Sequence, residues 1–286
     1  PFEELGMDAM LFSLLEKEIL KPNGLILTTG PTGSGKTTTL YSILRKIYTP
    51  EIKVITIEDP IEYHLKGISQ TQVNKEKGYD FLQGLRSALR QDPDVIMVGE
   101  IRDAETAGVA INSALTGHLV LSTLHTNNAA GVIPRLIDLG VNPKIISSSL
   151  TLSLAQRLVR KLCKDCKEEY APSEKELALI AHIIEFIKKK RAITADTPRL
   201  WRAGSNKSCN TCNGLGYKGR IGIYEGILTD KTVEEVIVTF NPSDREIKKA
   251  AEPQNILSMR EDGLLKALAG ITSLDELRRV VDMEED

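Results

Sequence analysis

The octapeptide Gly30-Pro31-Thr32-Gly33-Ser34-Gly35-Lys36-Thr37 constrains this chain more than any other stretch. It lies between the apolar run Leu25 to Thr29 and a segment carrying Leu40, Ile43, Leu44 and Ile47 at helical spacing, so it fixes a strand, a tight turn and a helix in succession. The pattern G-x-x-x-x-G-K-[ST] in that setting is a phosphate cradle. Its glycines let backbone N–H groups turn inward, and the helix N-terminus adds partial positive charge. Lys36 reaches the β and γ phosphates, the Thr37 hydroxyl meets magnesium, and Thr38 completes the candidate nucleotide-binding set. A Gly-rich turn that binds nothing is the alternative, and the strand before and helix after argue against it. The loop specifies a nucleoside triphosphate, and no N-K-x-D stretch for guanine accompanies it.

Around the loop, short Val/Ile/Leu-rich strands alternate with amphipathic helices. Strands are expected at Leu25 to Thr29, Val54 to Ile57, Val95 to Gly99 and Leu119 to Leu124. This is the pattern of an α/β domain with a largely parallel sheet, which binds ligands at the carboxyl ends of its strands. The 286 residues carry 27% charged and 41% apolar residues and a net charge of −2, values of a globular chain with no field drawing it to nucleic acid or an anionic membrane. The most apolar stretches, Gly117 to Leu124 and Leu177 to Ile187, are interrupted well short of the ~18 residues a membrane span needs. A start at Pro1-Phe2-Glu3 without Met leads us to expect a fragment.

Three strand ends carry chemistry. Asp94-Val95-Ile96-Met97-Val98-Gly99-Glu100 delivers a carboxylate, Glu100, that can hold magnesium through water or polarise an attacking water, with Gly99 where many ATPases have Asp. Glu58-Asp59-Pro60 ends a second strand, and Glu58 and Asp59 are expected in the same crevice, Glu58 as a second candidate catalytic acid. Ordinary solvation of strand ends is the alternative for these acids. His125 ends a third strand, placed to sense the γ-phosphate, whereas His118 at its start suits an inter-element or intersubunit contact.

Cys163-x-x-Cys166 and Cys209-x-x-Cys212 are the four cysteines of the chain, and two such knuckles predict a closed tetrahedral zinc site of structural type. Disulfides are the alternative, disfavoured in the reducing compartment where nucleotide-dependent enzymes work. Lys161, Lys164, Lys167, Lys207 and Lys218 offset the thiolate charge, and Asn213 to Tyr217 supply a tight turn. A helix capped by Ser173 and Glu176, with Leu177, Ile180, Ile184 and Ile187 on one face, should run out at the basic residues 188–191, read as a solvated end, before a loop from Ala192 to Lys207. Further helices are expected at Ser243 to Ala251 and Ser258 to Ala269, with a last one after Ser273. These shifts divide the chain at 1–158, a zinc module at 159–225, and helices at 226–286.

The runs VITIEDPIEY, SALRQDPDVIMVGEIRDAETA and TGHLVLSTLHTNNA resemble the aspartate box, Walker B and histidine box of the secretion ATPase superfamily of type II secretion and type IV pili. LVRKLCKDC and CNTCNGLGYKGRIGIYE resemble the tetracysteine region of its assembly branch, type II secretion and pilus extension ATPases, which retraction ATPases generally lack. Met259-Arg260-Glu261-Asp262-Gly263 and Gly270 to Glu276 resemble the family's tail. The resemblance implies a RecA-like P-loop core, ATP with Mg2+ and Zn2+, and homo-hexamers with ATP between subunits. It also implies cytoplasmic work at the inner membrane through platform and adaptor proteins, without nucleic acid. Family members carry amino-terminal domains that supply arginines; Arg86, Arg90, Arg102 and Arg135 are candidates here for γ-phosphate or intersubunit contacts, helix-surface salt bridges explain each equally well, and none is assigned to catalysis. A nucleic-acid motor and a zinc scaffold with a silent nucleotide fold stay open as alternatives, as does secretion versus pilus extension.

Overall fold

The computed structural model describes residues 2–192, 199–239 and 241–284; part of the loop expected from Ala192 to Lys207 lies outside them. The strands are β1 (Gly24–Thr29), β2 (Val54–Glu58), β3 (Ser69–Gln72), β4 (Val95–Val98), β5 (Leu119–Leu124), β6 (Leu150–Leu162), β7 (Glu168–Tyr170), β8 (Leu200–Arg202) and β9 (Tyr217–Leu228). The helices are α1 (Ala9–Glu18), α2 (Lys36–Ile47), α3 (Phe81–Leu89), α4 (Ala104–Leu115), α5 (Val132–Asp138), α6 (Pro143–Ser149), α7 (Glu174–Lys190), α8 (Lys231–Ile237), α9 (Asp244–Ala251), α10 (Met259–Leu268) and α11 (Leu274–Arg278). Seven strands form one sheet in the order β3-β2-β4-β5-β1-β6-β9, parallel throughout except for β9, which pairs antiparallel with β6.

All residues of β1, β2, β4 and β5 are buried, and their side chains alternate between two apolar layers as the pleat requires. Leu25, Leu27, Ile55, Ile57, Ile96 and Val98 face one layer, completed by α3 to α6 and the carboxyl-terminal helices. Ile26, Val54, Val95, Met97, Leu119 and Leu121 face the other, against α1 and α2. Covering both faces this way forces the ligand site to the strand ends. Among the described residues, no helix is long and apolar enough to cross a membrane.

Several expectations need correction. The divisions at 158/159 and 225/226 fall inside β6 and β9, which pair from Leu152↔Leu228 to Leu162↔Tyr217 and extend the main sheet to the cysteine knuckles. In α7 the capping box is present, but Leu177 is 40% exposed and Ile183 takes its place in the buried face with Ile180, Ile184 and Ile187. The end of α7 is not simply solvated. Lys190 donates to Glu261 at 2.7 Å and to the Ile256 carbonyl at 3.0 Å, and Arg191 pairs with Asp8, so the basic run fastens the helix to α10 and to the start of α1. Ser243 and Ser258 each close a capping box, and Ser273 accepts from the Glu276 N–H.

Candidate active site

The phosphate loop joins β1 to α2. Gly30 adopts φ +142° beside the Gln156 carbonyl, which a Cβ would meet at 2.4 Å, so no larger residue fits where β6 passes the loop. Gln156 answers from β6 by donating its Nε2 to the Ser34 carbonyl at 2.7 Å. Gly35 caps α2 in a left-handed conformation with no side chain engaging the helix N–H groups, which leaves them for an anion. Pro31, Thr32, Gly33 and Thr38 are exposed, Gly35, Lys36 and Thr37 half-buried, and Ser34 buried. The Lys36 ammonium donates to the carbonyls of Gly30 at 2.8 Å and Pro31 at 3.2 Å. Burial lowers its pKa, and the charge of Glu100 acts in the opposite direction.

Glu100 follows β4 after Gly99, whose N–H bonds the Ile57 carbonyl at 2.8 Å. A Cβ on Gly99 would crowd Phe81 at 3.1 Å and that same carbonyl at 3.2 Å, which accounts for a glycine there. The Glu100 side chain is 14% exposed, paired with Arg102, and 3.4 Å from His125 Nε2. Glu100 and His125 therefore come together as their strand ends predict. Arg102 and His125 are each more than half exposed, so solvent can replace them and release the carboxylate to a water or a metal-bound water. His118 accepts the other expectation, an inter-element contact, with Nδ1 3.0 Å from the Ser113 carbonyl at the end of α4.

Glu58 and Asp59 do not share one crevice. Glu58 is 2% exposed, and its oxygens are taken by Tyr41 of α2, by Thr56, and by Gln70 Nε2 at 2.9 Å. Burial raises the Tyr41 pKa, and the Glu58 carboxylate beside it adds to the rise. Glu58 thus ties the helix after the phosphate loop to β2 and β3. Asp59 is the exposed acid at this strand end, and its charge reaches Arg102.

The four cysteines lie at the far end of the antiparallel β6–β9 pair. All are free thiols with sulfurs within 4.8 Å of one another, Cys163 and Cys209 at 3.8 Å and Cys166 and Cys212 at 3.6 Å. Those separations suit the edges of a tetrahedron of about 3.8 Å that zinc–sulfur bonds of about 2.3 Å generate, and are far too long for disulfides of about 2.05 Å. The Gly216 N–H turns in to support one of the sulfurs, donating to Cys212 Sγ at 3.2 Å. The donor set fits a metal ion and leaves no protein ligand lacking.

A phosphate loop after β1, a carboxylate after β4 and a histidine after β5, on one edge of a doubly covered parallel sheet, make this a P-loop nucleotide-binding fold of RecA-like type. Its sequence is 47% identical over 282 residues to the type II secretion system protein E of Pseudomonas aeruginosa, covering 99% of this chain and 53% of that protein. The chain belongs to the type II/IV secretion system protein family, whose model matches residues 1–279. The type IV pilus assembly ATPase PilB of Thermus thermophilus is 46% identical over 275 residues, 96% of this chain and 30% of that protein. The chain therefore spans about half the length, or less, of these relatives. Among solved structures, the pilus retraction motor PilT with bound ADP superposes with a TM-score of 0.68 at 28% identity, over 98% of this chain and 66% of that one. The Legionella pneumophila ATPase DotB gives 0.64 at 26% identity, over 94% and 62%.

Proposed function

We propose that this chain is the ATP-hydrolysing part of a hexameric motor that drives pseudopilus assembly for type II secretion or extends a type IV pilus. It would work in the cytoplasm against inner-membrane platform and adaptor proteins, without nucleic acid. The observation that carries the reading is the phosphate loop with its uncapped start of α2 and Lys36, together with Glu100 after β4, held by the exposed Arg102 and His125. Lys36 and the N–H groups at the start of α2 hold the triphosphate; Glu100 orients the attacking water; His125, beside Glu100, senses the γ-phosphate. Thr37 and Glu100 would hold Mg2+, which shields phosphate charge when bound. Cys163, Cys166, Cys209 and Cys212 would hold Zn2+ in a structural role, and this set favours the assembly branch over retraction.

The test is Glu100→Gln beside the unsubstituted chain. The variant keeps shape and most contacts but loses the charge that orients water, so MgATP should still bind while turnover falls by about 10²-fold or more. Near-normal turnover would remove Glu100 from the mechanism.

A further inference from the structure

The turn that follows His125 is bonded on two opposite sides. Toward the phosphate loop, the Thr126 N–H donates at 2.7 Å to the hydroxyl of Thr29, the residue before Gly30, and the two threonine hydroxyls lie 2.8 Å apart. Toward the carboxyl-terminal helices, Asn128 Nδ2 donates to Asp244 of α9 at 3.3 Å, and the Ala129 N–H donates to Glu225 Oε1 at 2.8 Å. The second oxygen of Glu225 accepts the N–H of Met259, the first residue of α10, at 3.3 Å. Glu225 stands on β9 in the wall of a cavity of ≈ 600 Å³ that Asn127, Asn128 and the start of α10 also line. Burial pushes its carboxyl pKa up, opposed by those two N–H groups and by Lys248 and Lys190.

The two carboxylate oxygens accept from two separate chain segments at once, whereas a glutamine in the same pose would set its –NH2, a donor, against one of those two N–H groups. We infer that Glu225 is a positioning residue that couples the histidine turn to α9 and α10, so that a shift of His125 against Glu100 is passed to the carboxyl-terminal helices. The inference rests on the nucleotide reading of the site. The route is short: His125 and Ala129 are four residues apart, and one side chain spans from Ala129 to Met259. Packed elements joined by such bonds move together, because a bond left unmade in a half-buried wall costs free energy.

Amide hydrogen exchange with and without MgADP, on the unsubstituted chain and on Glu225→Gln, tests the coupling. In the unsubstituted chain MgADP should slow exchange at residues 30–37 and also change it at 125–131 and 258–268. In Glu225→Gln the effect at 30–37 should persist while that at 258–268 falls by about tenfold, and kcat should drop by about tenfold with KM within about twofold. Protection at 30–37 with no change at 258–268 in the unsubstituted chain overturns the inference, even if the variant fails to fold. So does a variant that keeps the distant response and loses only thermal stability. Absence of protection at 30–37 overturns the nucleotide reading, and the inference with it.

Discussion

Glu276 gives a stability prediction with a definite sign. Its carboxylate on α11 is buried and accepts from the Arg160 N–H at 3.0 Å, from the Arg160 guanidinium at 2.9 and 2.7 Å, and from Arg279 at 3.0 and 2.7 Å. Burial by itself would push its pKa up; the charge-assisted bonds from Arg279 and Arg160 outweigh this and hold it at about 2, against an ordinary 4.5. At about 1.4 kcal/mol per pH unit such a drop corresponds to about 3 kcal/mol. Arg160 and Arg279 are about half exposed, and solvent screening reduces this to about 1 to 2 kcal/mol. Because the folded pKa is depressed, the stabilisation is present above the unfolded value of 4.5 and is lost as pH falls toward 2. Urea denaturation of the unsubstituted chain and Glu276→Gln should show a gap of about 1 to 2 kcal/mol at pH 7 that closes as pH falls below about 4.5. A gap independent of pH, or none at pH 7, would refute the argument.

Lys36→Ala should weaken MgATP binding by about 10²-fold, since it removes the charged donor expected on the β and γ phosphates; equilibrium binding with unchanged affinity would reject that role. Metal analysis of protein purified without added metal should find one zinc per chain. Cys163→Ser should lower the zinc content and loosen residues 157–225, because structural zinc in small modules contributes about 10 to 16 kcal/mol of apparent binding energy. A metal-free preparation of intact thermal stability would contradict the zinc assignment.

The strands buried on both faces were legible because their Val, Ile and Leu runs have no other use, and β1, β2, β4 and β5 lie within a residue of expectation. β3 was not, since Ser69 to Gln72 is an edge strand of polar residues that carries no apolar signal. The β6–β9 pair hid behind the cysteines: composition changes at Arg157, yet the backbone pairing continues past it, with a register shift between Arg160 and Leu162. At the site, contiguous motifs brought out Lys36, Glu100 and His125, whereas strand-end position does not reveal that Tyr41 from α2 turns the Glu58 carboxylate inward. Glu225 ends the run CNTCNGLGYKGRIGIYE, but nothing in that run tells what its carboxylate meets. Its partners Ala129 and Met259 lie far away in sequence, and both contribute backbone N–H groups that any residue type would offer.

The β6–β9 pair also sets a mechanical ratio. Gln156, where β6 grips the phosphate loop, and Leu162, the end of β6 next to Cys163, are six residues apart on one strand, about 20 Å at about 3.3 Å per residue. β9 pairs alongside over that length and stiffens it like the second rail of a ladder. A tilt of about 5° of this ladder at the phosphate loop would therefore carry its far end, beside Cys163, through about 2 Å.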